Sequence, residues 1–152
     1  DRLWPYAGEL FAADAVDDAV AAAGIAPALS DLKPDWQRTV DEVLAEATLM
    51  TTFPEVGTPA DGAAFRRVAG QVPLTRYGLD CYAYALLAMG QVDLVIEAGL
   101  QRYDIAAPMA VVEAAGGIVT DWTGGPAWNG GRVIAAATPD LHRQAMRLLA
   151  DA

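Results

Sequence analysis

Tyr103-Asp104-Ile105-Ala106-Ala107, followed by Glu113-Ala114-Ala115-Gly116-Gly117 and the apolar run Ile118-Val119-Thr120, decides how this chain folds. It reads as a helix entered at Asp104, stopped by paired glycines and continued into a strand. An Asp at a helix N-terminus can act as an N-cap, its oxygen accepting an orphan amide hydrogen bond. Capping uses one oxygen and leaves the other for a hard cation. Mg²⁺ suits such a place, because it takes one or two carboxylates together with water and phosphate oxygens. Ala106 and Ala107 leave room beside Asp104, and Pro108 is expected in the first helical turn, where a missing N–H costs little.

Strands and helices alternate on either side of this stretch. Apolar runs and Gly or Pro stops predict strands over 47–53, 72–77, 92–98, 118–122 and 132–137. Helices are predicted over 61–69, 80–89, 103–115 and 139–152. That order favours an α/β fold, a mainly parallel sheet flanked by helices. Upstream, a strand over 3–12 (near an edge because of Pro5) and helices over 15–23 and 35–45 are expected. The chain thus divides into an N-terminal segment, 1–46, resembling the remnant of a preceding sheet with helices, and an α/β domain, 47–152.

Composition bounds the function. The 152 residues, 54% of them hydrophobic, suffice for one domain with a real core. A net charge of −10 without a basic stripe argues against nucleic acid as a partner. No apolar run is long enough to span a membrane, and no signal peptide is visible at the start of the sequence, so the expected setting is cytoplasmic. The single cysteine, Cys81, excludes an internal disulfide and a cysteine-rich zinc site, and is expected to be a small buried group. His142, the only histidine, is expected on the surface of the last helix.

Two further carboxylates stand out. Glu97 closes the apolar run Leu94-Val95-Ile96, and ligands of parallel α/β sheets collect at the carboxyl ends of strands. It is either a ligand-contacting group or an exposed strand-end charge. Asp80 precedes the helix beginning at Cys81 and reads by position as its N-cap.

The Tyr103–Gly117 stretch resembles the second signature of the inositol monophosphatase superfamily, W-D-x-A-A followed by A-G-G, with Tyr103 in place of Trp. Arg76-Tyr77-Gly78-Leu79-Asp80-Cys81-Tyr82-Ala83-Tyr84 is similar to the G-G-D-C-Y-A-Y run of its histidinol-phosphatase branch, with Leu79 where that branch carries Gly. If the position needs a positive φ, Leu79 disturbs it. The turn Thr120-Asp121-Trp122-Thr123-Gly124-Gly125-Pro126 also fits the superfamily.

The resemblance covers residues 47–152 and implies the C-terminal half of a layered αβαβα sugar-phosphatase fold that often forms homodimers. It implies a lithium-sensitive, Mg²⁺-dependent phosphomonoesterase in which metal-activated water attacks the phosphate. By resemblance, Asp104 is a metal ligand, while Asp80 and Glu97 hold the amine or alcohol part of a phosphorylated small molecule. Histidinol phosphate is the first substrate implied and inositol 1-phosphate the alternative. The superfamily's other signature, D-P-[ILV]-D-G-T after an upstream Glu, is missing. Thr58-Pro59-Ala60-Asp61-Gly62-Ala63 resembles it only superficially and reads as a loop and helix start. No catalytic residue is therefore assigned in this chain, and activity is expected only with an N-terminal half in cis or in trans. A reading of another class is a non-catalytic binding module or degenerate fragment. A missing half would also expose apolar surface and favour self-association.

Overall fold

The structure, a computed structural model, describes residues 44–150. The strand expected over 3–12 and the helix over 15–23 lie outside the described residues, as does the helix over 35–45 except at its end. There Leu44–Glu46 forms a single 3₁₀ turn.

Nine further elements follow. They are β1 (Thr48–Thr51), α1 (Pro59–Ala69), β2 (Leu74–Tyr77), α2 (Cys81–Ala88), β3 (Leu94–Leu100), α3 (Arg102–Ala114), β4 (Ile118–Asp121), β5 (Gly131–Ala136) and α4 (Pro139–Ala150). The strands form one sheet in the order β2-β1-β3-β5-β4. β1 pairs parallel with β2 and β3, and β5 runs antiparallel to both β3 and β4. One reversed strand in five agrees with the expected mainly parallel sheet.

Both faces of the sheet are buried, which explains the continuous apolar runs of its central strands. Leu49, Leu94, Ile96 and Ile134 point to one face and pack with Phe65 and Val68 of α1 and Leu141, Ala145 and Leu149 of α4. Met50, Val95, Val133 and Ala135 point to the other and pack with Tyr84 and Leu87 of α2 and Ile105 and Val112 of α3. Leu94, Val95 and Ile96 are wholly buried. Each such side chain contributes about 2 kcal/mol, more than any strand propensity.

Helix ends explain the shifted boundaries. α1 starts at Pro59, not at Asp61 or Gly62, because Thr58 is the N-cap: its hydroxyl accepts from the Asp61 N–H (3.2 Å) and Asp61 Oδ2 accepts from the Thr58 N–H (2.9 Å). α3 begins one residue earlier than expected, and Pro108 lies in its interior rather than its first turn. The proline removes the amide bond to the Asp104 carbonyl, which costs about 3 kcal/mol and is offset by burial of its ring. At the other end of α3, Gly116 (φ +90) donates to Glu113 O (2.9 Å) and Gly117 to Val112 O (2.9 Å), a Schellman closure. A Cβ on Gly117 would stand 2.7 Å from Val112 Cγ1 and 3.1 Å from Ala136 O, which is why the second glycine is needed. On the opposite face, Arg67 of α1 donates to Leu148 O (2.7 Å) and Leu149 O (3.2 Å), closing the last turn of α4.

Candidate functional site

The loop after β1 leads to α1 on one face of the sheet, whereas β3 leads to α3 on the other. The chain therefore diverges at the carboxyl ends of these neighbouring strands and opens a crevice there. A cleft of about 660 Å³ occupies it. Thr51 lines it from the end of β1, Thr52 and Phe53 from the loop that follows, Asp80 from the N-cap of α2, Cys81 and Tyr84 from α2 itself, Glu97 to Leu100 from β3, and Tyr103, Asp104, Ala107 and Pro108 from α3. The three carboxylates singled out in the sequence meet in this one cleft, together with the exposed Glu55. None of the described residues lining it is Lys, Arg or His.

Glu97 lies within β3 rather than at its end, because the strand runs on to Leu100. It is buried, 5% exposed, which removes the exposed-charge alternative. Its Oε2 accepts from the Tyr84 hydroxyl (2.7 Å), and its Oε1 from the Thr52 amide (3.2 Å) and, by a very short contact, the Thr52 hydroxyl. A buried carboxylate without donors would be costly, and these three bonds meet that cost. Burial pushes the Tyr84 hydroxyl well above the ordinary tyrosine range; the neighbouring Glu97 charge, the hydrogen bond to it and the Asp104 charge add to this. Tyr84 therefore stays protonated and donates. Just beyond Glu97 the pairing with β5 shifts by one residue, a bulge that holds Gly99 at φ +89 with open space beside it.

Asp104 is exposed and occupies the third position of α3, not the N-cap, which is Gln101. Its Oδ2 accepts from the Gln101 N–H (2.7 Å), while Oδ1 makes no hydrogen bond among the described residues. One oxygen of Asp104 is thus used at the helix start, from the third helical position rather than the N-cap. A hard cation fits against Oδ1 as one oxygen ligand among several. The described residues contain no group of three or more His, Cys, Asp or Glu side chains able to hold a metal ion.

Asp80 stands at the N-cap position of α2 but its side chain caps nothing. Its backbone sits at φ +44, ψ −128, directly after Gly78 (φ +97) and Leu79 (φ +75). Leu79, at the position where a glycine was anticipated, does adopt a positive φ. Three successive residues of this kind turn the chain from β2 sharply into α2 and hold strain at the rim of the cleft.

Two expectations fail. Cys81 is exposed on the cleft rather than buried, because α2 turns Ala83, Tyr84 and Leu87 toward the sheet and leaves its first residue outside. His142 is half-buried rather than superficial and bonds Thr120 Oγ1 through Nε2 (2.7 Å). The Thr120 hydroxyl also lies 2.8 Å from Asp121 O, to which it can donate. Tyr84 and Thr52, which hold Glu97, were not singled out in the sequence. Tyr84 was detectable as the residue four after Asp80, on the same helical face.

The chain belongs to the inositol monophosphatase family, whose model matches residues 35–152. A second model, of the phenylacetic acid catabolic protein family, matches residues 1–67 and overlaps the first; the described part of the overlap supplies β1 and most of α1 to the sheet above. The chain is 45% identical over 115 residues to the bifunctional phosphatase IMPL2, chloroplastic, of Arabidopsis thaliana, covering 70% of this chain and 33% of that protein. It is 33% identical over 87 residues to the inositol-1-monophosphatase ImpA of Mycolicibacterium smegmatis, covering 57% and 31%. The solved structure of an inositol monophosphatase from Zymomonas mobilis superposes with a TM-score of 0.67 at 39% identity, covering 70% of this chain and 43% of that one. The chain spans about a third of the curated relatives it matches.

Proposed function

We propose that this chain is part of a Mg²⁺-dependent phosphomonoesterase that acts on a small phosphorylated alcohol, with histidinol phosphate as the substrate its cleft suits first. The observation that carries the reading is the convergence of Asp80, Glu97 and Asp104 on a cleft with no basic side chain among its described lining. Such a cleft attracts the ammonium of an amino alcohol. The phosphate end requires counter-charge, and Asp104 Oδ1 is the atom available to help hold Mg²⁺ there. When bound, Mg²⁺ supplies positive charge for the phosphate and an activated water for the attack on it.

The chain's own residues then bind and orient. Asp104, fixed by the Gln101 amide, presents one oxygen to the phosphate side. Glu97 accepts a hydrogen bond from the alcohol or amine portion, and Asp80 faces the same portion from the opposite rim. Ala107 and Gly99 keep the space between them open. The residues that would activate water have no assigned counterpart here, so turnover is proposed for the whole protein, with a segment carrying them supplied in cis or in trans. Inositol 1-phosphate is the second reading, favoured by the likeness to ImpA and to the Zymomonas mobilis enzyme.

The test is phosphate release from histidinol phosphate and from inositol 1-phosphate with Mg²⁺. It is run on this chain alone and on this chain completed by the preceding segment of the Arabidopsis thaliana relative. Activity confined to the completed protein and lost in Asp104→Asn supports a half-site. Activity in neither leaves the binding-module reading, and turnover by the chain alone overturns the assignment of the metal ligands.

A further inference from the structure

The geometry points to Tyr84, assisted by Thr52, as a positioning residue that fixes Glu97 so that it offers the cleft a single acceptor direction. This rests on the reading above, that Glu97 meets the alcohol or amine portion of the substrate, and extends it to how the contact is made selective.

A carboxylate has about four lone-pair positions. Three on Glu97 are taken: two on Oε1 by Thr52, one on Oε2 by Tyr84. One position on Oε2 remains. A free carboxylate at the wall of a cleft could swing to meet many donors in many orientations, whereas one held from β1 and from α2 cannot. Its partners are themselves fixed. Tyr84 is 1% exposed, and Thr52 immediately follows the end of β1, which is paired to β3. A substrate is then read by whether one donor of the right charge stands at one point. An ammonium there gains a charge-assisted bond that a hydroxyl does not fully match.

The experiment uses the full chain labelled with [5-¹³C]glutamate, the Glu97 carboxyl resonance being assigned by its loss in Glu97→Gln. Histidinol and myo-inositol, neither carrying phosphate, are titrated as probes. Tyr84→Phe keeps the buried ring and is expected to displace the Glu97 resonance in the free protein and weaken histidinol binding about tenfold, the worth of one charge-assisted bond. In a Glu97→Gln background, Tyr84→Phe is expected to change binding less than twofold, since a residue acting through Glu97 has nothing left to position. An unmoved Glu97 resonance, or additive losses in the double variant, overturns the inference. Should Tyr84→Phe not fold, Thr52→Val removes the hydroxyl donor from the other side and is expected to displace the same resonance. If neither probe perturbs Glu97 in the unaltered chain, the substrate reading fails. Displacement of the resonance in Tyr84→Phe then still establishes the clamp, so the two failures are distinguishable.

Discussion

Replacing Asp80 by glycine should make the protein more stable and less selective at once. The residue sits at φ +44, ψ −128, a region open to glycine and strained for any residue with a Cβ, at a cost of about 1–3 kcal/mol. Against that stands the extra freedom of glycine in the unfolded chain, about 0.5–1 kcal/mol. Nothing else is lost from the folded state, because the side chain is exposed and makes no capping bond. The net expectation is a gain of up to about 2.5 kcal/mol, or up to roughly 10 °C in melting temperature for a domain of this size. Denaturant unfolding of the unaltered chain, Asp80→Gly and Asp80→Asn would measure it. Asp80→Asn keeps the Cβ and the strain but removes the charge, and should stay within about 0.5 kcal/mol of the original. If Asp80→Gly is no more stable than Asp80→Asn, the backbone stores no strain and the account of this rim is wrong. If it is more stable but the completed enzyme loses its preference between histidinol phosphate and inositol 1-phosphate, strain and specificity share one residue.

Other outcomes follow from the same geometry. Gly117→Ala places a Cβ 2.7 Å from Val112 Cγ1 and should destabilise by about 1–3 kcal/mol in equilibrium unfolding. Asp104→Asn keeps an oxygen for the Gln101 amide, so stability should change by less than about 1 kcal/mol while Mg²⁺-dependent turnover of the completed enzyme falls at least about tenfold. Desolvation lowers the His142 imidazole below its ordinary value, so the unfolded chain binds the proton more readily. Stability should therefore decline as pH falls from the ordinary histidine value to the folded one, and His142→Gln should flatten that slope in denaturation at a series of pH values. The Asp121 carboxyl is held below its usual range, first by the Thr123 hydroxyl and then by the Gly125 and Thr123 amides and the Arg132 charge. It contributes stability above the unfolded value that is lost as pH falls through the folded one, and Thr123→Ala should shrink this acid limb.

The sheet was legible because its central strands are buried on both faces. Leu94, Val95 and Ile96 had to be apolar whichever side each faced, and no other element type accommodates so short a run between a Gly stop and a charged helix start. The signature helix was legible through its terminal glycines, whose roles are local. Its beginning was less so: an Asp three residues into a helix and an Asp at its cap look alike in sequence, and only the Gln101 amide separates them. Tyr84 was hidden for a related reason. An aromatic residue inside Cys81-Tyr82-Ala83-Tyr84-Ala85-Leu86 reads as core, which it is, and its hydroxyl acquires a second role only when β3 brings Glu97 beneath it. Cys81 misled in the opposite sense, since small thiols are usually buried and this one falls on the open turn of α2.

The charge of the cleft constrains the chemistry more than any single residue. Unit charges of like sign about 6 Å apart repel by about 3 kcal/mol at an effective dielectric constant near 20. With Glu55, Asp80, Glu97 and Asp104 around one cavity and no basic side chain in its described lining, an unaccompanied phosphate would meet net repulsion, weakened by solvent at the exposed Glu55, Asp80 and Asp104. A substrate can enter if it presents its cationic or hydroxyl end to Glu97 and Asp80 while its phosphate reaches Asp104 together with a cation. The two ends are then met by different elements, since Asp80 and Tyr84 come from the start of α2 and Asp104 from the start of α3. Raising the salt concentration should strengthen inositol 1-phosphate binding measured without Mg²⁺ and weaken histidinol binding in the same protein, because screening relieves repulsion in the first case and attraction in the second. Salt effects of the same sign on both ligands would mean that the charge of the cleft does not govern its binding.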